Sequence, residues 1–282
     1  MLIFLCHKFE PVLYNFAKSI DFCEVYILID SLEKLPPDPM FIQIPDELCS
    51  SHGYINSNTG DQTKTHINKN PIAWDKVLYW LSLRSFDKCF ILEHDVFVPD
   101  KRILQNLLKL DFDLCVRSNN KRIGQHQDWH WSSIDKAIKP PHYYSMVSAV
   151  GISELLLNKI TNHVQINKSL FHIEALFNTI ATQNKLKVIT PKVLSPVVAM
   201  GSWDLPVMKL YPVRLYHPVK QIHRHQYYRE VIHSQINDYC IPVEIHNLSP
   251  QPYTSCLIPK FIKNLPKNSI NENDFLGRQK LE

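Results

Sequence analysis

The residues best suited to chemistry lie at Glu93-His94-Asp95, where the apolar run Cys89-Phe90-Ile91-Leu92 stops abruptly. Side chains alternate along an extended backbone, so Glu93 and Asp95 project to the same side. Two carboxylates held in that way suit a hard divalent cation carrying substrate phosphates. A strand that simply ends in a solvated acidic turn would use the same residues, and an acidic triplet of this kind is a weak motif by itself. Glu174 is a second candidate. It borders the helical stripe Leu170, Ile173, Leu176, Phe177 and Ile180, about 100° round the helix from Ile173. From there a carboxylate can reach into a cleft while its helix is anchored in the core; a solvated helix glutamate is the alternative. The chain also carries 14 histidines, among them His217 in Tyr216-His217-Pro218-Val219-Lys220 and the pair in His223-Arg224-His225. These suit anion or metal contacts as well as ordinary surface positions.

The elements that must position these groups read as an α/β sheet. Leu2 to Cys6 is a buried strand, His7-Lys8-Phe9-Glu10-Pro11 a loop, and Val12, Leu13, Phe16, Ala17 and Ile20 recur at helical spacing. Glu24 to Asp30 is a second strand and Met40 to Ile44 a short third one. This strand–helix–strand start opens a doubly wound, Rossmann-like nucleotide-binding sheet. Neither GxGxxG nor GxxxxGK[ST] is present, which argues against a dinucleotide site or a P-loop. Residues 45–70 are polar and read as a long mobile loop. Asn70-Pro71 starts a helix with Trp74, Val77, Leu78 and Leu81 on one stripe, and this helix leads into the acidic strand. Another helix follows Pro99-Asp100, then a strand over Asp111–Arg117. Residues 118–142 mix Arg122, His126, Asp128, Trp129, His130 and Trp131, a set that fits the flat faces of sugars or ordinary loop packing. Tyr143 to Val150 reads as a strand, Ser153 as the cap of a helix, and Lys187-Val188-Ile189 as a last strand. Residues 191–260 are rich in Pro, His and Tyr with little periodicity, and a polar tail follows.

Composition narrows the function classes. The 282 residues are 45% hydrophobic and 21% charged, which is ordinary for a globular protein, with a net charge of +4. No long Lys/Arg block points to nucleic acid. The seven cysteines are scattered, odd in number and without a CxxC pair. They suit a reducing compartment and no disulfide framework. The amino terminus lacks the pattern of a signal peptide, and no stretch approaches the ~20 apolar residues of a membrane span. A soluble, cytoplasmic protein is the expectation.

Taken together, Asn70-Pro71-Ile72-Ala73-Trp74-Asp75-Lys76-Val77-Leu78-Tyr79 followed by Phe90-Ile91-Leu92-Glu93-His94-Asp95-Val96-Phe97 resembles the GT-A class of nucleotide-sugar glycosyltransferases. A helix with a Trp-Asp-Lys stretch precedes a strand that ends in a DxD-type triplet. The resemblance spans roughly residues 1–230, and it departs from the family at Glu93 and His94. It implies a GT-A-like fold with one Rossmann-like, mixed but mostly parallel sheet flanked by helices. The catalytic domain would cover residues 1–260, with a nucleotide-binding half over 1–117, an acceptor-binding half over 118–260 and a tail over 261–282.

The resemblance also implies roles. Cys6, His7, Lys8 and Asp30 would form the nucleoside pocket. Asp95 would bind Mn²⁺ or Mg²⁺, with Glu93 on the metal, donor sugar or ribose. Lys76 would meet the diphosphate or donor sugar, and Lys220 and Arg224 would add positive charge. His217 would complete the metal site, ahead of His223 and His225. Glu174 would act as general base for an inverting reaction. The expected activity is metal-assisted transfer of a sugar from a nucleotide diphosphate sugar, with UDP as the expected nucleotide, to a saccharide or glycoconjugate hydroxyl. Two other readings stay open. One is a non-catalytic carbohydrate- or nucleotide-binding protein on a degenerate transferase scaffold. The other is a sugar-nucleotide nucleotidyltransferase, disfavoured because the loop after the first strand has no glycine.

Overall fold

The computed structural model describes residues 1–58, 70–123, 130–199, 201 and 203–234. All of them belong to one compact unit, Met1–Leu248. His126, Asp128 and Trp129, two of the cysteines and the expected tail lie outside the described residues.

The first half alternates as expected. Strand β1 (Leu2–Cys6) is followed by helix α1 (Pro11–Lys18), strand β2 (Val25–Ile29) and strand β3 (Phe41–Ile42). Two helices, α2 (Asp46–Ser51) and α3 (Ala73–Ser82), then lead to strand β4 (Lys88–Glu93). Helix α4 (Lys101–Lys109) connects to strand β5 (Leu114–Cys115). A small ribbon of β6 (Asn120–Lys121) and β7 (Tyr143–Tyr144) encloses α5 (Trp131–Ala137). Strand β8 (Ala149–Ser153), helices α6 (Glu154–Asn167) and α7 (Ile173–Gln183), strand β9 (Val188–Ile189), and helices α8 (Leu205–Leu210) and α9 (His225–His233) complete the described chain.

Seven strands form one sheet in the order β3-β2-β1-β4-β8-β5-β9. All neighbours run parallel except β8, which is antiparallel to both β4 and β5. The α/β class and the mixed, mostly parallel sheet therefore agree with the sequence reading. Every residue of β1 is buried, which is why its run is apolar without alternation. The alternation reappears in what each face packs against. Ile3, Leu5, Cys89 and Ile91 face the layer of α3, α6 and α7. Leu2, Phe4, Cys6, Phe90 and Leu92 face α1 and α4. Gly151 of β8 permits that second layer to close: an added Cβ would stand 2.8 Å from the rings of both Phe90 and Phe112. A third, smaller cluster of Phe97, Met208, Tyr216, Val219, Tyr228 and Ile232 ties α8 and α9 to the chain just past β4.

Several sequence expectations are corrected. Residues 45–70 are not one loop, because α2 occupies their start and buries Cys49. The third helix begins at Ala73 and not at Pro71: the Asp75 carboxylate accepts the Ile72 N–H at 2.8 Å and so caps the first turn. The expected strand over Tyr143–Val150 is two strands separated by residues 145–148. Residues 191–260 contain α8 and α9, whose buried sides use Met208, His225, Tyr228 and Ile232. The Ser153 cap is present, and its hydroxyl accepts the Leu156 N–H.

Candidate functional site

The sheet order reverses between β1 and β4. From β1 the chain winds outward to β2 and β3 and then returns to place β4 on the other side of β1. At such a switch point the loops beyond the carboxyl ends of the strands diverge and leave a crevice. Glu93-His94-Asp95 stands at that end of β4. The His94 N–H donates to the Leu5 carbonyl and the Glu93 N–H to that of Ser148, so the triplet is fixed between β1 and the segment before β8.

His217 is brought to it by a strap of backbone bonds. Phe97 and Tyr216 exchange two hydrogen bonds, and the Val219 N–H donates to the Asp95 carbonyl. On the other side the His217 N–H donates to Pro196 O, and its own carbonyl accepts from the Val198 N–H and the Trp203 indole. The strap holds the imidazole at 4% exposure against two carboxylates. Its Nε2 lies 3.5 Å from Glu93 Oε2 and 3.3 Å from Asp95 Oδ1. One ligand atom from each of Glu93, Asp95 and His217 falls within 4.8 Å of the others, as a divalent ion requires.

The outer atoms of all three groups are occupied. Trp74 Nε1 donates to Glu93 Oε1 at 2.9 Å, and Lys220 Nζ bonds Asp95 Oδ2. His217 Nδ1 donates to the Val198 carbonyl at 2.7 Å, which leaves Nε2 as the atom facing the carboxylates. Partners of this kind are what orient metal ligands in proteins. Burial by itself would raise the Asp95 carboxyl, but hydrogen bonds and charge from His217 and Lys220 outweigh it and hold the group well below the usual carboxylate range. Burial likewise opposes the charged form of His217, and Asp95 and Glu93 more than offset it, so the imidazole binds its proton more tightly than usual. A metal ion and that proton compete for one site. The donor set of two carboxylates and one imidazole fits a first-row divalent ion.

Glu174 lies in the first turn of α7 and is half-buried. Its carboxyl is pushed up to about 7, by burial first and then by the Glu93 charge, with His217 opposing. It is thus within electrostatic reach of the cluster. Among the described residues no group hydrogen-bonds to its carboxyl.

The other expected site residues separate. His7, Lys8 and Asp30 do line the carboxyl ends of β1 and β2; the His7 ring sits 5.4 Å from that of His94, edge to face. Cys6 is corrected: its side chain lies in the core layer against α1, and burial pushes its thiol up. Only its carbonyl faces this edge, where it accepts the Asp30 N–H. Lys76 is corrected as well. It is buried and bonded to Asp30 Oδ1 at 2.7 Å and Asp46 Oδ1 at 2.8 Å, so its charge is already matched by two carboxylates. His225 is a core ring donating to the Val219 carbonyl, and burial lowers it to about 4; His223 is exposed. Neither joins the cluster. Two participants were missed. In the sequence Trp74 falls on the apolar stripe of its helix, although its indole N–H needs a partner when buried. Asp46 sat within the expected loop, and its partner lies 30 residues on.

Comparison of the chain with protein-family models and with curated proteins returns no match, so the site rests on its own geometry.

Proposed function

We propose that the protein is a GT-A-like, metal-dependent glycosyltransferase that uses a nucleotide diphosphate sugar, with a UDP-sugar as the expected donor and a saccharide or glycoconjugate hydroxyl as the acceptor. The observation that carries this reading is the convergence of Glu93 Oε2, Asp95 Oδ1 and His217 Nε2 at the carboxyl end of β4, with the remaining polar atom of each group held by Trp74, Lys220 and Val198. Mn²⁺ suits the set better than Mg²⁺, because imidazole nitrogen is a poor ligand for the harder ion. When bound, the metal would offset the charge of a departing nucleoside diphosphate.

The chain's own groups would do the rest. Lys220 is 76% exposed, and its ammonium adds positive charge beside the cluster. His7, Lys8 and Asp30 offer polar contacts to a nucleoside at the ends of β1 and β2. Glu174, with a carboxyl poised near neutral pH, would accept the proton of the attacking hydroxyl. In the helix before β4, Trp74 steadies Glu93, Asp75 caps the first turn and Lys76 joins α3 to Asp30 and α2.

A thermal-shift and donor-hydrolysis panel of UDP-, GDP-, CMP- and dTDP-sugars, with and without Mn²⁺, tests the proposal. Ligands that bind the native state raise its melting temperature. A metal-dependent shift with one nucleotide and slow release of that nucleotide is expected. Binding without release in the presence of acceptors would turn the reading towards a degenerate scaffold, and no binding to any donor would refute it.

A further inference from the structure

A cavity of about 560 Å³ lies between α1, the start of α4 and α9. One wall is apolar, formed by Val12, Phe16 and Pro99. The lining also includes Lys101, Arg102, Arg229 and His233 and a single carboxylate, Asp100. Asp100 is spent on its neighbours: it caps α4 through the Arg102 N–H, and it pairs with the Arg102 guanidinium at 2.6 Å and His233 at 3.7 Å. Lys101 pairs with Asp21 at the rim. Arg229 differs from these. Its guanidinium lies 4.0 Å over the Phe16 ring, and among the described residues its one hydrogen bond is a long 3.4 Å contact to the Val98 carbonyl and no carboxylate pairs with it. Burial lowers it to about 10. A guanidinium withdrawn from water keeps several N–H donors in a fixed fork, a geometry that matches the oxygens of an oxyanion. Because Asp100 already caps α4, the attraction for an anion comes from side chains and not from the helix terminus.

We infer that this cavity binds a phosphomonoester that carries an apolar group, with its phosphate on Arg229 and its apolar body against Val12, Phe16 and Pro99. The site is separate from the Glu93–Asp95–His217 cluster and independent of the proposed transferase activity. It is tested by calorimetric titration of the full chain, kept in chelator, with inorganic phosphate and with phenyl phosphate. Saturable binding of both is expected, with phenyl phosphate the tighter by several-fold. Arg229→Gln is expected to weaken both at least tenfold. Because Arg229 also packs on Phe16, the exposed double variant Lys101→Ala/His233→Ala is measured beside it and is expected to weaken both about threefold. Equal binding in wild type and both variants, or no saturable binding at all, would overturn the proposal. Arg229-dependent pelleting with phosphatidylcholine vesicles that contain phosphatidate would assign the phosphate to a lipid headgroup. Phenyl phosphate binding without pelleting would assign it to a soluble ester.

Discussion

Two charged clusters stand at the same edge of the sheet and are built from the same kinds of residue, yet they are suited to opposite tasks. At the end of β2, Asp30 and Asp46 close on Lys76, whose side chain is 3% exposed. Burial works to lower that ammonium, but the two aspartates more than compensate and raise it. The protein supplies its own cation there, and the cluster joins α2 and α3 to the sheet. At the end of β4, Glu93 and Asp95 close on an imidazole, and the one ammonium there among the described residues, that of Lys220, holds the outer oxygen of Asp95. The inner atoms are left facing each other. Pairs of carboxylates are therefore informative only with the identity of the third group and the side from which the cation approaches.

Replacing the central residue of each cluster should separate the two roles. Asp95→Ala removes a proposed ligand and should reduce Mn²⁺ affinity by more than the ~10–100-fold that loss of an outer-shell partner costs, with the fold intact by circular dichroism. Unchanged affinity would erase the distinction. Lys76→Met should do the reverse. It strands two partly exposed carboxylates and should cost about 2–3 kcal/mol in urea denaturation, short of the ~3–5 kcal/mol of a fully buried pair, while leaving Mn²⁺ affinity unaltered. Trp74→Phe frees only Glu93 Oε1 and should lower Mn²⁺ affinity by about tenfold in the same titration.

The smallest expected effect concerns pH. The Glu174 carboxyl is raised from an ordinary 4.5 to about 7, so between these values the folded chain holds a proton that the unfolded chain has lost. Stability from this group therefore falls as pH rises from 4.5 to 7. At ~1.4 kcal/mol per unit the full shift would be about 3 kcal/mol, and solvent screening of this half-buried group reduces the expected drop of wild type relative to Glu174→Gln to about 1–2 kcal/mol across that window. A constant difference between the two denaturation series would place Glu174 in solvent, away from the Glu93 charge.

The parts of this architecture that sequence exposed are those specified locally. The unbroken apolar runs of β1 and β4, the stripes of α4 and α7 and the abrupt acidic end of β4 each need only neighbours along the chain. His217 comes only with the resemblance, which calls for a histidine from the carboxyl-terminal part of the chain. What stayed hidden depends on distant partners. The two-residue strand β6 has too few positions to show a period, and the reversal of β8 is written in its pairing with β4 and β5. Helix α9 buries His225 and Tyr228 beside Ile232, a stripe whose polar atoms disguise it. The resemblance assigns Lys76 to the diphosphate, and its pairing with Asp46, 30 residues upstream, leaves no local mark in the sequence.

The central claim is that Glu93, Asp95 and His217 form one divalent-metal centre. Pulsed electron paramagnetic resonance of the Mn²⁺-loaded protein tests it most directly, because a bound imidazole nitrogen modulates the Mn²⁺ echo. The account predicts one tightly bound Mn²⁺ coupled to a single histidine nitrogen, with the coupling lost in His217→Gln. Mn²⁺ that binds without nitrogen coupling, or coupling that survives in His217→Gln, would contradict it.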